Sequence, residues 1–409
     1  MDVFNVFEKD RKEISGPVNV LRLEGEIDGI TKVVYLFLDH HNNAFNQTEC
    51  LNVYATDVNQ YLAQTFHKLN GSSRVYDFFM ELDTSEFRVD PEQREAMRTG
   101  SKAGYRSIYI GRVVKLIRSA VEYDPKTGRT EPSKVFQNVR LHYLDIREEF
   151  YAIMFPLLHL SDGVWGMMCN KVRHFDQPIR VMQEVKARVD SIIQTYEAVL
   201  ANPDTKPDST HPHPLFAQTA LKLLIGYKHT DVKQILSDLF KIKFKDFSQL
   251  SNDLEQAIDI FGKMQTLLLD PPITLKYGTS EYDIEKEQMY GSVLLDAYMI
   301  AVKISERSMV SIAWITDCYL LRRILDKDYI THSVIYSGGG HSGHYVQALV
   351  GDFGFRVTNA SFSPFDTIDE LNEAIRTKVK EGHAIDDLLI PSRNPPQCSD
   401  ITLFPADFA

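Results

Sequence analysis

Ser333-Val334-Ile335-Tyr336-Ser337-Gly338-Gly339-Gly340-His341 is the stretch that decides the fold of this chain. A short run with β-branched residues that ends in glycines and a histidine reads as a buried strand. Such a strand delivers a side chain into a crevice at the carboxyl edge of a sheet. A second run, Val33-Val34-Tyr35-Leu36-Phe37-Leu38, closes the same way, in Asp39-His40-His41. Two strands far apart in sequence thus each carry an imidazole to a strand end, which is how open α/β sheets assemble their sites.

Working outward, Val18, Val20, Leu21 and Leu23 mark a leading strand or hairpin. Asp57 is an N-cap for a helix to Leu69 whose apolar face is Val58, Leu62, Phe66 and Leu69. A strand over 75–80 ends in Glu81, a helix runs from Ile108 to Val121, and 124–128 is a loop. An alternating strand from Asn138 ends in Asp145, with Arg147 just beyond. Strand alternating with helix predicts an α/β fold: a mostly parallel sheet flanked by helices.

Residues 165–300 carry helical periodicity and read as a helical insertion or cap, interrupted by the proline-rich stretch 202–214 with His211 and His213. The α/β pattern resumes with a helix over 305–326, the strand over 333–336, a helix from 344 or 345 to 351 and a last strand over 353–357. The expected organisation is therefore 1–164 and 301–385 as the two parts of the core, 165–300 as insertion, and 386–409 as an extended tail. That proline-bearing tail reads as a surface arm for a neighbouring molecule.

The 409 residues carry a net charge of −11, which gives no electrostatic footprint for nucleic acid. Apolar content of 44% is that of a packed globular protein. The first residues lack a signal peptide's basic start and apolar core, and no apolar run reaches the roughly 18 residues of a membrane span. Cys50, Cys169, Cys318 and Cys398 are scattered and support neither a disulfide framework nor a zinc ribbon. An unsecreted protein with reduced thiols, in a host cytoplasm or a virion, is the expectation.

Four strand ends carry the chemistry: Asp39 with His41, Glu81, Asp145, and His341. Histidine beside carboxylate holds an imidazole in one tautomer as a general base, and His41, Glu81 and His341 are also the ligand types of a divalent metal site. Gly338, Gly339 and Gly340, opening a helix, suit a small anion, with Asp145 and Arg147 as further binding residues. The plain alternative is that each carboxylate caps a helix or pairs with an arginine such as Arg140 or Arg322.

The segments 34–41, 46–50, 77–81, 138–147, 317–324 and 334–341, in that order, resemble an uncharacterised protein family of large DNA viruses. That family in turn is similar to the erythromycin esterase and Tiki/TraB superfamily, α/β proteins with a Gly-Glu-x-His motif after the first core strand. The resemblance matches Asp39 and His41 to the Glu and His of that motif, Glu81 to a second-strand glutamate, and Gly338 with His341 to a late Gly-x-x-His. Asp145 resembles an aspartate ending a mid-chain strand. Leu38 stands where the superfamily has glycine, and Asp39 is one methylene shorter than its glutamate. DHH phosphoesterases share the Asp-His-His and Gly-Gly-Gly-His runs. They also need an earlier aspartate strand, for which Asp28-Gly29-Ile30 lies too close.

The resemblance implies a hydrolase of ester or peptide bonds, metal-assisted or metal-free, with a small-molecule or peptide substrate. The alternative from a different class is a virion or assembly protein that keeps the fold without the chemistry, its partners other virion proteins.

Overall fold

The Asp-Gly pair at 28–29 sets the first register. Asp28 and Gly29 adopt left-handed backbone, φ 48° and 78°, and form the two-residue hairpin loop that such a pair favours. After a short β1 (Glu13–Ser15), this turn joins β2 (Pro17–Ile27) to β3 (Ile30–Asp39). The structure, a computed structural model, describes residues 10–41, 47–81, 108–124, 129–130, 133–143, 146, 150–170, 174–204, 212–392 and 395–409. It divides into two compact units, Met1–Asp145 with Leu320–Ala409, and Ile146–Tyr319.

In the first unit, β4 (Thr56–Asp57) leads into α1 (Val58–Lys68), which Asp57 caps by accepting the Asn59 N–H. Then come β5 (Tyr76–Met80), α2 (Tyr109–Ala120), the small pair β6 (Tyr123–Asp124) and β7 (Arg129–Thr130), and β8 (Val139–Tyr143). In the second unit lie α3 (Tyr151–Cys169), α4 (Asp176–Ala201), α5 (Pro214–Leu224), α6 (Thr230–Leu269) and most of α7 (Ser280–Leu325). The first unit resumes with β9 (His332–Gly338), α8 (Gly339–Gly351), β10 (Arg356–Ala360), α9 (Ile368–Lys380), α10 (Asp386–Leu389) and β11 (Cys398–Asp400).

The main sheet has the strand order β10-β2-β3-β9-β5-β8. The pairings β3–β9, β9–β5 and β5–β8 are parallel, whereas β2 is antiparallel to both β3 and β10. The sheet is therefore mixed, not mostly parallel as the sequence suggested, because the 28–29 hairpin turns β2 back along β3. Continuous burial along β3, from Val33 to Asp39, marks a strand covered on both faces. One face packs Tyr35, Phe37, Phe78, Val334 and Tyr336 against Leu62 and Phe66 of α1 and Val113 and Ile117 of α2. On the sheet, α8 lies against β3 and β9.

The tail belongs to the chain's own core. β11 pairs antiparallel with β1, and Phe408, 1% exposed, inserts its ring between Tyr35, Phe37, Tyr61 and Phe66. This replaces the surface-arm reading of the tail. Cys50 and Cys398 form a disulfide, with Cα atoms 4.9 Å apart across 348 residues of sequence. The expectation of reduced thiols without a disulfide is thereby corrected: spacing rules detect local motifs and are blind to a pair at opposite ends of a chain. Cys169 is exposed and Cys318 buried, both free.

In the helical unit, Leu236, Phe240, Phe244, Phe247, Leu250, Leu254, Ala257 and Phe261 of α6 recur every three or four residues and are all buried. That stripe is the seam of an amphipathic helix. Phe244 stacks on Tyr196 and Phe216 at 3.9 and 5.6 Å between ring centroids. One helix, α3, is long and apolar enough to cross a membrane by length and composition alone, with 28% of its window buried. Its Ile153, Leu157, Leu160, Val164 and Met167 join the helical core, while Phe155, Leu158 and Trp165 are exposed.

Candidate active site

Three parallel strands bring their carboxyl ends together. Asp39 of β3 lies opposite Gly338 of β9, and Met80 of β5 lies opposite Tyr336 of β9. Glu81 directly follows β5, His41 follows β3 by one residue, and His341 sits in the first turn of α8. The strand ends at 39, 81 and 338 are therefore neighbours because the strands that carry them are neighbours.

Asp39 is 2% exposed and accepts the Nδ1–H of His41 at 2.8 Å on one oxygen. Its other oxygen accepts the Tyr336 hydroxyl at 3.2 Å. Burial, reinforced by the Asp39 charge, holds that phenol protonated, its pKa well above the ordinary value. The His41 Nε2 lies 3.7 Å from Glu81 Oε2. The bond to Asp39 and then that to Glu81 push the His41 pKa up to about 10. His41 is thus an imidazolium at neutral pH, a proton donor where the sequence suggested a general base.

Glu81 is the centre of the set. Its Oε2 accepts the Gly338 N–H at 2.9 Å, and its Oε1 lies 3.3 Å from His341 Nε2. Its own N–H donates to the Tyr336 carbonyl at 3.3 Å, which ties the carboxylate to β9 at both ends. A side chain at Gly338 has no room, since a Cβ there would sit 2.8 Å from His41 Nε2 and 3.4 Å from Glu81 Oε2. The glycine run is not a loop carrying His341: Gly338 is the N-cap of α8, and helix starts at Gly339.

The structure brings Asp39, His41, Glu81, Gly338 and His341 into one crevice, and Gly339 and Gly340 open the helix beside it. Asp145 and Arg147 lie outside the described residues. The two imidazoles approach opposite oxygens of Glu81. Among the described residues, Glu13, Cys50 and Cys398 are the three metal-ligating side chains whose ligand atoms all fall within 4.8 Å of one another. Two of those atoms are the bonded sulfurs.

A second imidazole–carboxylate pair escaped the sequence reading. Asp77, fully buried, accepts His142 Nε2–H at 2.7 Å and two Arg140 N–H groups at 2.8 and 2.7 Å. Arg323 approaches His142 Nδ1 at 2.8 Å. An arginine only donates, so Nδ1 accepts and the proton sits on Nε2. Burial lowers the His142 pKa, and the ring is neutral. Arg140 thus serves Asp77, and Arg322 lies 3.8 Å from Asp326. Tyr336 was missed because a tyrosine inside an apolar strand reads as core.

Three uncharacterised proteins of Acanthamoeba polyphaga mimivirus are similar along their whole length. The first is 31% identical, covering 100% of this chain and 99% of the relative. The second is 30% identical with 100% of both covered, and the third 31% identical with 98% and 99% covered. No solved structure matches. Residues 12–409 match the profile of one family, and the chain belongs to it: the family of unknown function DUF5847.

Proposed function

We propose that the crevice at the carboxyl ends of β3, β9 and β5 is a hydrolytic acid–base site for an ester or amide bond. The observation that carries this reading is Glu81 held between His41 and His341. Glu81 takes the proton of an attacking water, and His41, charged at neutral pH, gives its proton to the leaving group. Asp39 fixes the ring of His41 and offsets its charge. The N-terminus of α8 adds partial positive charge where an oxyanion develops. The resemblance of 34–41, 77–81 and 334–341 to erythromycin esterase and Tiki/TraB motifs, read from the sequence, points to the same reaction class. The missing methylene of Asp39 does not count against it, since the carboxylate reaches the His41 ring.

The test is turnover of p-nitrophenyl esters and quenched-fluorescence peptides by wild type, Glu81→Gln and His41→Ala. Loss of a general acid or base lowers kcat by about 10²–10⁴-fold. Equal rates for a substrate that wild type does turn over would sink the assignment.

A second reading, a virion or assembly protein without turnover, is favoured by one observation, the Cys50–Cys398 disulfide. Such bonds persist in virions and at cell surfaces and are reduced in cytosol. Mass spectrometry of purified particles, combined with inactivity across both substrate sets, distinguishes it.

A further inference from the structure

Beside the candidate site, the carboxyl-terminal segment is joined to the chain around His41 through Gln397 and Cys398. Gln397, 1% exposed, accepts the Thr48 N–H at 3.2 Å and donates its own N–H to the Thr48 hydroxyl at 2.7 Å. Its side-chain amide donates to the His40 carbonyl at 3.2 Å, and its carbonyl accepts the Gly16 N–H at 2.9 Å. The next residue, Cys398, is bonded to Cys50, whose N–H donates to Ser15 Oγ at 3.0 Å. The residue that holds the backbone of His40, next to His41, is therefore itself held by an adjacent disulfide. Both cysteines are only half-buried, within reach of a small thiol. Phe408 and the β1–β11 pair anchor the tail beyond this point, but around Gln397 itself, without the covalent bond, only hydrogen bonds keep together segments 348 residues apart. With it, their local concentration is fixed.

We propose that Cys50–Cys398 is a redox-operated clamp on the candidate site. Oxidised, it locks Gln397 onto His40 and Thr48; reduced, it loosens Gln397 and the backbone beside His41, while β11 and Phe408 stay seated. The chemistry is thiol–disulfide exchange with a glutathione-type monothiol. One thiolate attacks a cysteine sulfur, the other sulfur leaves and takes a proton, and a second thiol resolves the mixed disulfide. Two thiols become one disulfide, while Cys50 and Cys398 gain two electrons and two protons. A chain made in reducing cytosol and packed into an oxidising particle has the clamp open in the first place and closed in the second. The proposal is independent of which reaction, if any, the crevice runs.

The experiment is hydrogen–deuterium exchange and iodoacetamide labelling of the full chain, purified without reductant, before and after dithiothreitol. Exposed Cys169 labels at once, and Cys50 and Cys398 label only after reduction. Reduction then speeds exchange about tenfold or more in 47–57 and 395–398 and leaves 176–269 unchanged, the pattern of local opening. Cys398→Ser shows the fast pattern with or without dithiothreitol, and reduced wild type carries the same test should the variant not fold. Labelling of Cys50 and Cys398 before reduction, or exchange in those segments that reduction leaves unchanged, overturns the proposal.

Discussion

His41 and His142 each bond an aspartate on the same sheet, yet the first is held charged and the second neutral. The bond to Asp39 and then Glu81 favour the charged His41, whereas burial, reinforced by Arg323 at the other ring nitrogen, disfavours it at His142. In NMR titrations, the His41 imidazole is expected to lose its proton near pH 10, and Asp39→Asn to bring that value down towards about 6.5. Because the folded value exceeds the unfolded one, this residue's stabilisation is full below about pH 6.5 and is lost as pH rises through about 10. His332 works on the acid side: burial and then Arg74 lower its pKa to about 4, so its share is lost as pH falls from about 6.5 towards 4. Gly338→Ala forces a methyl against His41 Nε2. It is expected to cost about 1–3 kcal/mol in urea melts, the range of overpacking, and to abolish the alkaline titration of His41. At this scale much was legible, since His41, Glu81 and His341 are polar residues closing apolar runs. Gln397 was not, because a buried glutamine in a proline-bearing tail looks like any loop residue until its partners are known.

Elements were legible where local chemistry decides them. Asp57 before an i, i+4 apolar stripe announced α1, and the structure adds that its second carboxylate oxygen pairs with Arg112 of α2. Asp57→Ala is expected to destabilise by about 1–2 kcal/mol in thermal melts, the upper range for a lost N-cap, with Arg112→Gln losing less. The start of α8 was misplaced because each glycine disfavours helix by about 1 kcal/mol, which argued for a loop through residue 343. Gly338 at the N-cap instead leaves room for His41 and Glu81, and Gly339 for Ile390. The mixed sheet was misjudged for a related reason. Strand–helix alternation signals parallel neighbours, and it holds for β3, β9, β5 and β8, but the Asp28-Gly29 hairpin belongs to a different local code.

Over the whole molecule, long-range closure was invisible in the sequence. The disulfide, the β1–β11 pair and the seating of Phe408 all join residues more than 300 positions apart. Phe408→Ala is expected to cost about 3–5 kcal/mol, the range for a buried phenylalanine, measured by denaturant unfolding of the full chain. That same ring has a bearing on biosynthesis. A core that needs residue 408 cannot close while the chain is still emerging from the ribosome. The helices of residues 146–319 can form before residue 408 has been made, whereas the sheet with its crevice must wait for it. Such late, non-local closure is the slow kind of folding. The exposed strand edges of that waiting interval make this the stage at which chaperones have most to do.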